Sequence, residues 1–223
     1  MPVANFKIES NMLDYGQFDV WRAKGNPDSN LLSPEELERL HAISSQNARE
    51  TFLLSRCAIH SIVKYYTNNS DFLGEVDRQP GGKPFLINIP ELHFSLSHTG
   101  REVALVFSRS PVGFDMEKSG RQTDFLTLAK RFFTATEVAA IVAAGNDAGP
   151  CFLELWTAKE AILKLEGTGI SVGLDRARIL SESEGNLDGR RVYLHRIEWS
   201  GLIAKLAAFE EPREVKVREL ILQ

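Results

Sequence analysis

The stretch Pro111-Val112-Gly113-Phe114-Asp115-Met116-Glu117-Lys118 constrains the fold more than any other segment. Its apolar residues suit an internal strand, yet it carries two carboxylates two positions apart. On a strand, residues so spaced face the same way, so Asp115 and Glu117 project together, roughly 6.6 Å apart at the backbone. Like charges in apolar surroundings are costly unless something positive lies between them. A hard divalent cation meets that need, and a third carboxylate from elsewhere would complete its oxygen shell. A helix about 40 residues later reads Trp156-Thr157-Ala158-Lys159-Glu160-Ala161-Ile162-Leu163-Lys164.

The rest of the chain can support such a strand. At 223 residues it is long enough to bury a core, and its 43% hydrophobic and 25% charged content belongs to a globular protein. The net charge of −4 argues against broad nucleic-acid binding, which needs a basic face. Cys57 and Cys151 both fall in helical stretches and read as reduced core thiols. The N-terminus lacks a charged region followed by an apolar one, and no apolar run approaches ~18 residues. No membrane contact is expected, and the expected compartment is the cytoplasm.

Ser33-Pro34-Glu35-Glu36 opens a helix, with Ser33 as N-cap, Pro34 at the first position and Glu36 reaching back in a capping box. A second helix spans about 45–66 and stops at Asn68-Asn69-Ser70. Gln79-Pro80-Gly81-Gly82-Lys83-Pro84 reads as a turn. His93-Phe94-Ser95-Leu96-Ser97-His98 alternates apolar and polar as a strand, Thr99-Gly100 turns the chain, and 103–108 forms the next strand. Helices return at about 123–132, 134–144 and 151–165, with a capping box of Thr134 and Glu137 and a C-terminal cap at Gly167. Strand-like segments follow at 191–199, 202–209 and 215–222. The expected architecture is α+β: a pseudo-twofold pair of similar subdomains, 1–110 and 111–223, each an antiparallel sheet packed with helices, with the site at their interface.

Single pieces of this pattern have bland readings. Asp115 and Glu117 could be solvated strand residues. Trp156, Glu160 and Lys164 form one helical stripe at spacing four, which a surface ion pair and a core tryptophan would also produce. Ser97-His98-Thr99-Gly100 could be a polar hairpin end.

Together they resemble the 4′-phosphopantetheinyl transferases of the surfactin-synthetase-activating (Sfp-like) type. The resemblance runs from Gly82-Lys83-Pro84 through Phe94-Ser95-Leu96-Ser97-His98-Thr99-Gly100 and Val112-Gly113-Phe114-Asp115-Met116-Glu117. It continues into Arg131-Phe132-Phe133-Thr134-Ala135-Thr136-Glu137, Trp156-Thr157-Ala158-Lys159-Glu160-Ala161, Lys164 and Gly167-Thr168-Gly169. It covers roughly half the chain in the family's order.

The resemblance implies transfer of the phosphopantetheine arm of coenzyme A to a serine of an apo acyl carrier protein or peptidyl carrier domain, with release of adenosine 3′,5′-bisphosphate. It also implies that Asp115, Glu117 and Glu160 hold Mg²⁺, with Mn²⁺ as the alternative, and that Glu160 doubles as general base. Lys164 would meet the pyrophosphate and assist the leaving group. Lys83 and His98 match positions that bind coenzyme A phosphates, with Ser97 adding a hydrogen bond. Arg49 and Arg56, two helical turns apart, resemble the segment that reaches the 3′-phosphate, with Thr51 a weaker contact; a solvated basic helix edge is the other reading.

Two departures stand out. Glu35-Glu36-Leu37-Glu38 occupies a stretch where some relatives have nucleotide-binding lysines, and Glu137 serves a capping box where it could support the site. Residues 118–131 offer basic and apolar contacts for an acidic carrier. Shorter relatives assemble their clefts between subunits, whereas two subdomains in one chain imply a monomer. A coenzyme A-binding module without turnover and a metal-dependent phosphohydrolase are the competing classes.

Overall fold

Both expected capping boxes form in the computed structural model, which describes residues 11–71, 73–168 and 173–223; residues 1–10 and Gly169 of the Gly167-Thr168-Gly169 motif lie outside them. Ser33 and Glu36 start α1 (Pro34–Ala42), and Thr134 and Glu137 start α4 (Ala135–Ala143). Each box satisfies backbone donors that a helix start otherwise leaves open, a contribution of about 1 kcal/mol. The long helix α2 (Gln46–Thr67) is capped by Ser45 and ends on Asn68 in the left-handed conformation. Helix α3 (Phe125–Phe132) precedes α4, and α5 (Ala148–Glu166) ends on Gly167 at φ 90°.

The strands are β1 (Gln17–Gly25), β2 (Val76–Arg78), β3 (Pro84–Leu86), β4 (His93–Thr99), β5 (Glu102–Ser108), β6 (Val112–Lys118), β7 (Ala177–Ser181), β8 (Glu184–Leu187), β9 (Arg190–Trp199), β10 (Leu202–Ala208) and β11 (Glu214–Leu222). They form a four-stranded sheet ordered β11-β1-β5-β4, a five-stranded sheet ordered β6-β10-β9-β8-β7, and the small β2-β3 hairpin around the expected turn. Helix α2 packs on the first sheet through Cys57, Ile59, Ile62 and Tyr66, and α5 packs on the second through Ala158, Ala161 and Ile162. Among the described residues no single helix is long and apolar enough to cross a membrane.

One pairing departs from the antiparallel pattern. β11 runs parallel to β1, from Gln17 opposite Glu214 to Gly25 opposite Leu222, so the last strand of the chain completes the first sheet. Charge helps fix this register: Arg218 on β11 donates to the buried Asp19 on β1 at 2.8 Å, and the Tyr66 hydroxyl donates to the same carboxylate at 3.0 Å. Both cysteines are free; Cys57 is buried in α2 and Cys151 half-buried in α5.

The two sheets meet at their edges. β4 is the outer strand of the first and β6 of the second. Gly113 on β6 lets α5 approach, since a Cβ there would stand 1.9 Å from the Ala161 carbonyl oxygen. The 111–118 segment is thus pressed between β4, β10 and α5, as its apolar composition demands.

Candidate active site

A cavity of about 510 Å³ opens at this seam, its lining including Ser97, His98, Asp115, Glu117, Glu160 and Lys164 together with Arg78, Arg121 and Trp156. Strand β6 supplies the two acids by its alternation. Helix α5 supplies Trp156, Glu160 and Lys164 by its four-residue stripe, and β4 supplies Ser97 and His98.

Asp115 is the hub. It is buried, and one carboxylate oxygen accepts from the Ser97 hydroxyl at 2.7 Å and from the Lys164 ammonium at 2.7 Å. Lys164 also donates to the Leu96 carbonyl at 3.3 Å. Glu117 pairs with Arg121. Burial, with the Asp115 charge behind it, pushes the Glu117 carboxyl up despite that arginine.

Glu160 differs from both. Only 3% exposed, it has a buried Oε1 with no hydrogen-bond partner. Burial, reinforced by the charges of Asp115 and Glu117 and opposed by Lys164, pushes its carboxyl up to about 7. A carboxyl with that value exchanges protons near neutrality, as a general base must. The bland reading of Glu160 and Lys164 as a solvated pair therefore fails: the glutamate is buried and Lys164 bonds Asp115 instead. His98 is held below the usual imidazole value, by burial first and Lys164 second, which favours a neutral ring at this edge.

The acids share one cavity but are not assembled as a ready ligand set. Among the described residues no three His, Cys, Asp or Glu side chains are grouped so as to hold a metal ion. Arg121 draws Glu117 aside, while Ser97 and Lys164 hold Asp115. The chemistry of the donors still fits a hard cation: the charges of Asp115 and Glu117 raise the proton affinity of Glu160, whose buried Oε1 lacks any donor.

The expected coenzyme A contacts divide. His98 also lines a neighbouring cavity of about 530 Å³, shared with Thr51, Arg56 and Arg78. Arg56 lies over Phe52 and 3.5 Å from Glu36, so one of the acids that broke the family pattern balances its charge. Glu36 also sits 2.7 Å from His60. Arg49 instead turns to the Ser44 carbonyl at 3.4 Å. Lys83 donates to the Val112 carbonyl at 2.8 Å and the Leu165 carbonyl at 3.1 Å, spanning the seam. Burial pushes its ammonium down to about 8, and in this conformation it serves the backbone rather than an anion.

Three contributors escape a sequence reading. Arg78, beside the glycine turn, sits between the two cavities and repels Arg56, and nothing in its spacing announces that. Lys159 is fully buried, 2.9 Å from Glu137, and donates to the Leu174 and Ala177 carbonyls. Glu137 thereby anchors α5 as well as capping α4. Ser95 is buried beside Ser97 on β4; two serines at spacing two on an otherwise apolar strand were the signal.

Residues 111–208 match the model of the 4′-phosphopantetheinyl transferase superfamily. The chain is 32% identical over 160 residues to 4′-phosphopantetheinyl transferase Sfp of Bacillus subtilis strain 168, covering 70% of each chain. It is 30% identical over 171 residues to the Bacillus subtilis transferase ffp, covering 70% of this chain and 75% of that one. A putative 4′-phosphopantetheinyl transferase of Synechocystis, slr0495, is 31% identical over 150 residues, 66% of this chain and 61% of its own.

Proposed function

The chain belongs to the 4′-phosphopantetheinyl transferase superfamily, and from that premise we infer how its seam works. It is an enzyme that transfers the 4′-phosphopantetheine group of coenzyme A to a serine of an apo carrier protein and releases adenosine 3′,5′-bisphosphate. Glu160 carries the reading: a buried carboxyl with an unpartnered oxygen, held at about 7, beside the lysine–aspartate pair.

In our reading the carrier serine gives its proton to Glu160 as its oxygen attacks the β-phosphorus of the pyrophosphate. The bond from that phosphorus to the bridging oxygen breaks, and Lys164 supports the charge appearing on the departing nucleotide. Arg56, Arg78 and His98 bind the nucleotide's phosphates in the adjoining cavity, with Arg49, Lys83 and Ser97 as candidates that must first leave or share their present partners. Asp115, Glu117 and Glu160 would hold Mg²⁺ or Mn²⁺, which supplies charge neutralisation at the pyrophosphate. Residues 118–131 meet the carrier. We place the enzyme in the cytoplasm as a monomer, since one chain supplies both sides of the cleft.

Intact-mass analysis tests this. With coenzyme A, magnesium and apo fatty-acid, polyketide or peptide carriers, at least one carrier should gain one phosphopantetheine. No adduct on any of them would reject transfer, and unchanged kcat in Asp115→Ala would reject its metal role.

A further inference from the structure

Two serines join the sheets. The Phe114 amide N–H donates to the Ser95 hydroxyl at 3.0 Å, and the Met116 amide N–H donates to the Ser97 hydroxyl at 3.2 Å. β6 is an edge strand, bonded to β10 on its other side, so these amides would otherwise lack main-chain partners. β4, the edge of the other sheet, presents side-chain oxygens in place of carbonyls. The spacing works because both strands repeat every two residues: Ser95 and Ser97 share one face of β4, and the amides of 114 and 116 share one side of β6.

Both serines are buried, at 3% and 4% exposure, so water does not readily replace them. A hydroxyl can accept and donate at once. Ser97 does both, accepting from Met116 and donating to Asp115 at 2.7 Å. The clasp thus fixes the backbone on each side of Asp115, and Ser97 fixes its carboxylate as well.

We propose that Ser95 and Ser97 are positioning residues, a hydroxyl clasp that sets β6 against β4 and so places Asp115 relative to the site's β4 and α5 groups. Ser95 touches no reacting group in this scheme and acts through the strand alone. The kinetic consequence rests on the transferase reading; the clasp itself does not.

The test pairs amide hydrogen exchange with kinetics on Ser95→Ala, Ser97→Ala and the hydroxyl-retaining Ser95→Thr. In Ser95→Ala the Phe114 amide should exchange about tenfold faster or more, while the Val106 amide inside the first sheet keeps its rate. Transfer kcat should fall about tenfold with KM for coenzyme A within about twofold, and Ser95→Thr should restore both readouts. Ser97→Ala should lose more kcat and bind Mn²⁺ more weakly, read by electron paramagnetic resonance. Unaltered Phe114 exchange in Ser95→Ala, or faster exchange with wild-type kcat, overturns the proposal. Should Ser95→Ala not fold, Ser95→Cys, a weak acceptor of similar shape, carries the same expectations. If the wild-type protein transfers nothing to any carrier, the functional reading fails while the exchange data still judge the clasp.

Discussion

Glu160→Gln should stabilise the metal-free protein at alkaline pH while abolishing transfer. The folded state holds the Glu160 proton more tightly than the unfolded chain does, with its carboxyl raised from 4.5 to about 7, by burial above all. Below about pH 4.5 both states are protonated and nothing is lost. Between there and about pH 7 the unfolded chain ionises first, so stability falls as pH rises. Above about pH 7 the loss is complete and reaches about 3 kcal/mol, at about 1.4 kcal/mol for each tenfold in proton affinity. Glutamine has nearly the same shape and no charge, so it escapes that loss. Urea unfolding in EDTA should therefore show the variant close to wild type at about pH 5 and up to about 3 kcal/mol more stable at about pH 8. A difference that is the same at both pH values, or a variant less stable at the higher one, would refute the electrostatic account of this residue.

Two further expectations come from packing. Gly113→Ala puts a methyl 1.9 Å from the Ala161 carbonyl oxygen and 2.4 Å from the Leu165 nitrogen, forcing α5 away from β6. Urea unfolding should show a loss of about 3 kcal/mol, and a loss below about 1 would mean that helix and strand are not in such contact. Cys57, whose thiol burial pushes up to about 12, should react with an aromatic disulfide reagent only on unfolding, and its prompt labelling in the native protein would contradict that burial.

The sequence carried the local grammar of this fold well. Ser33 and Thr134 announce their helices because a cap and its reciprocal glutamate lie within one turn. Strand β4 announces itself through alternation, β5 through a continuous apolar run, and β6 through its apolar residues and paired acids, with turns between them. The parallel pairing of β1 with β11 was not legible, because it joins segments almost 200 residues apart through a register set by Asp19 and Arg218. At the site, strand and helix periods put Asp115 with Glu117 and Glu160 with Lys164 on common faces, and the family resemblance, rather than periodicity, brought the two faces together. Partner choice could not be read in the same way. The ammonium of Lys83 goes to two carbonyls, Arg121 engages Glu117, and Glu36 balances Arg56, since three-dimensional packing decides which acceptor each cation reaches.

The parallel strand also has a consequence for synthesis. On a ribosome the chain emerges from its N-terminus, so β1, β4 and β5 are available long before β11. Until residues 214–222 leave the exit tunnel, β1 offers one flank unpaired and Asp19 has no Arg218. The second sheet, whose strands all lie between 112 and 208, can close first. The enzyme's cleft then stands between a finished wall and one still waiting for its outermost strand, and a fusion or label that hinders the 214–222 segment should be felt on the side of the molecule made first.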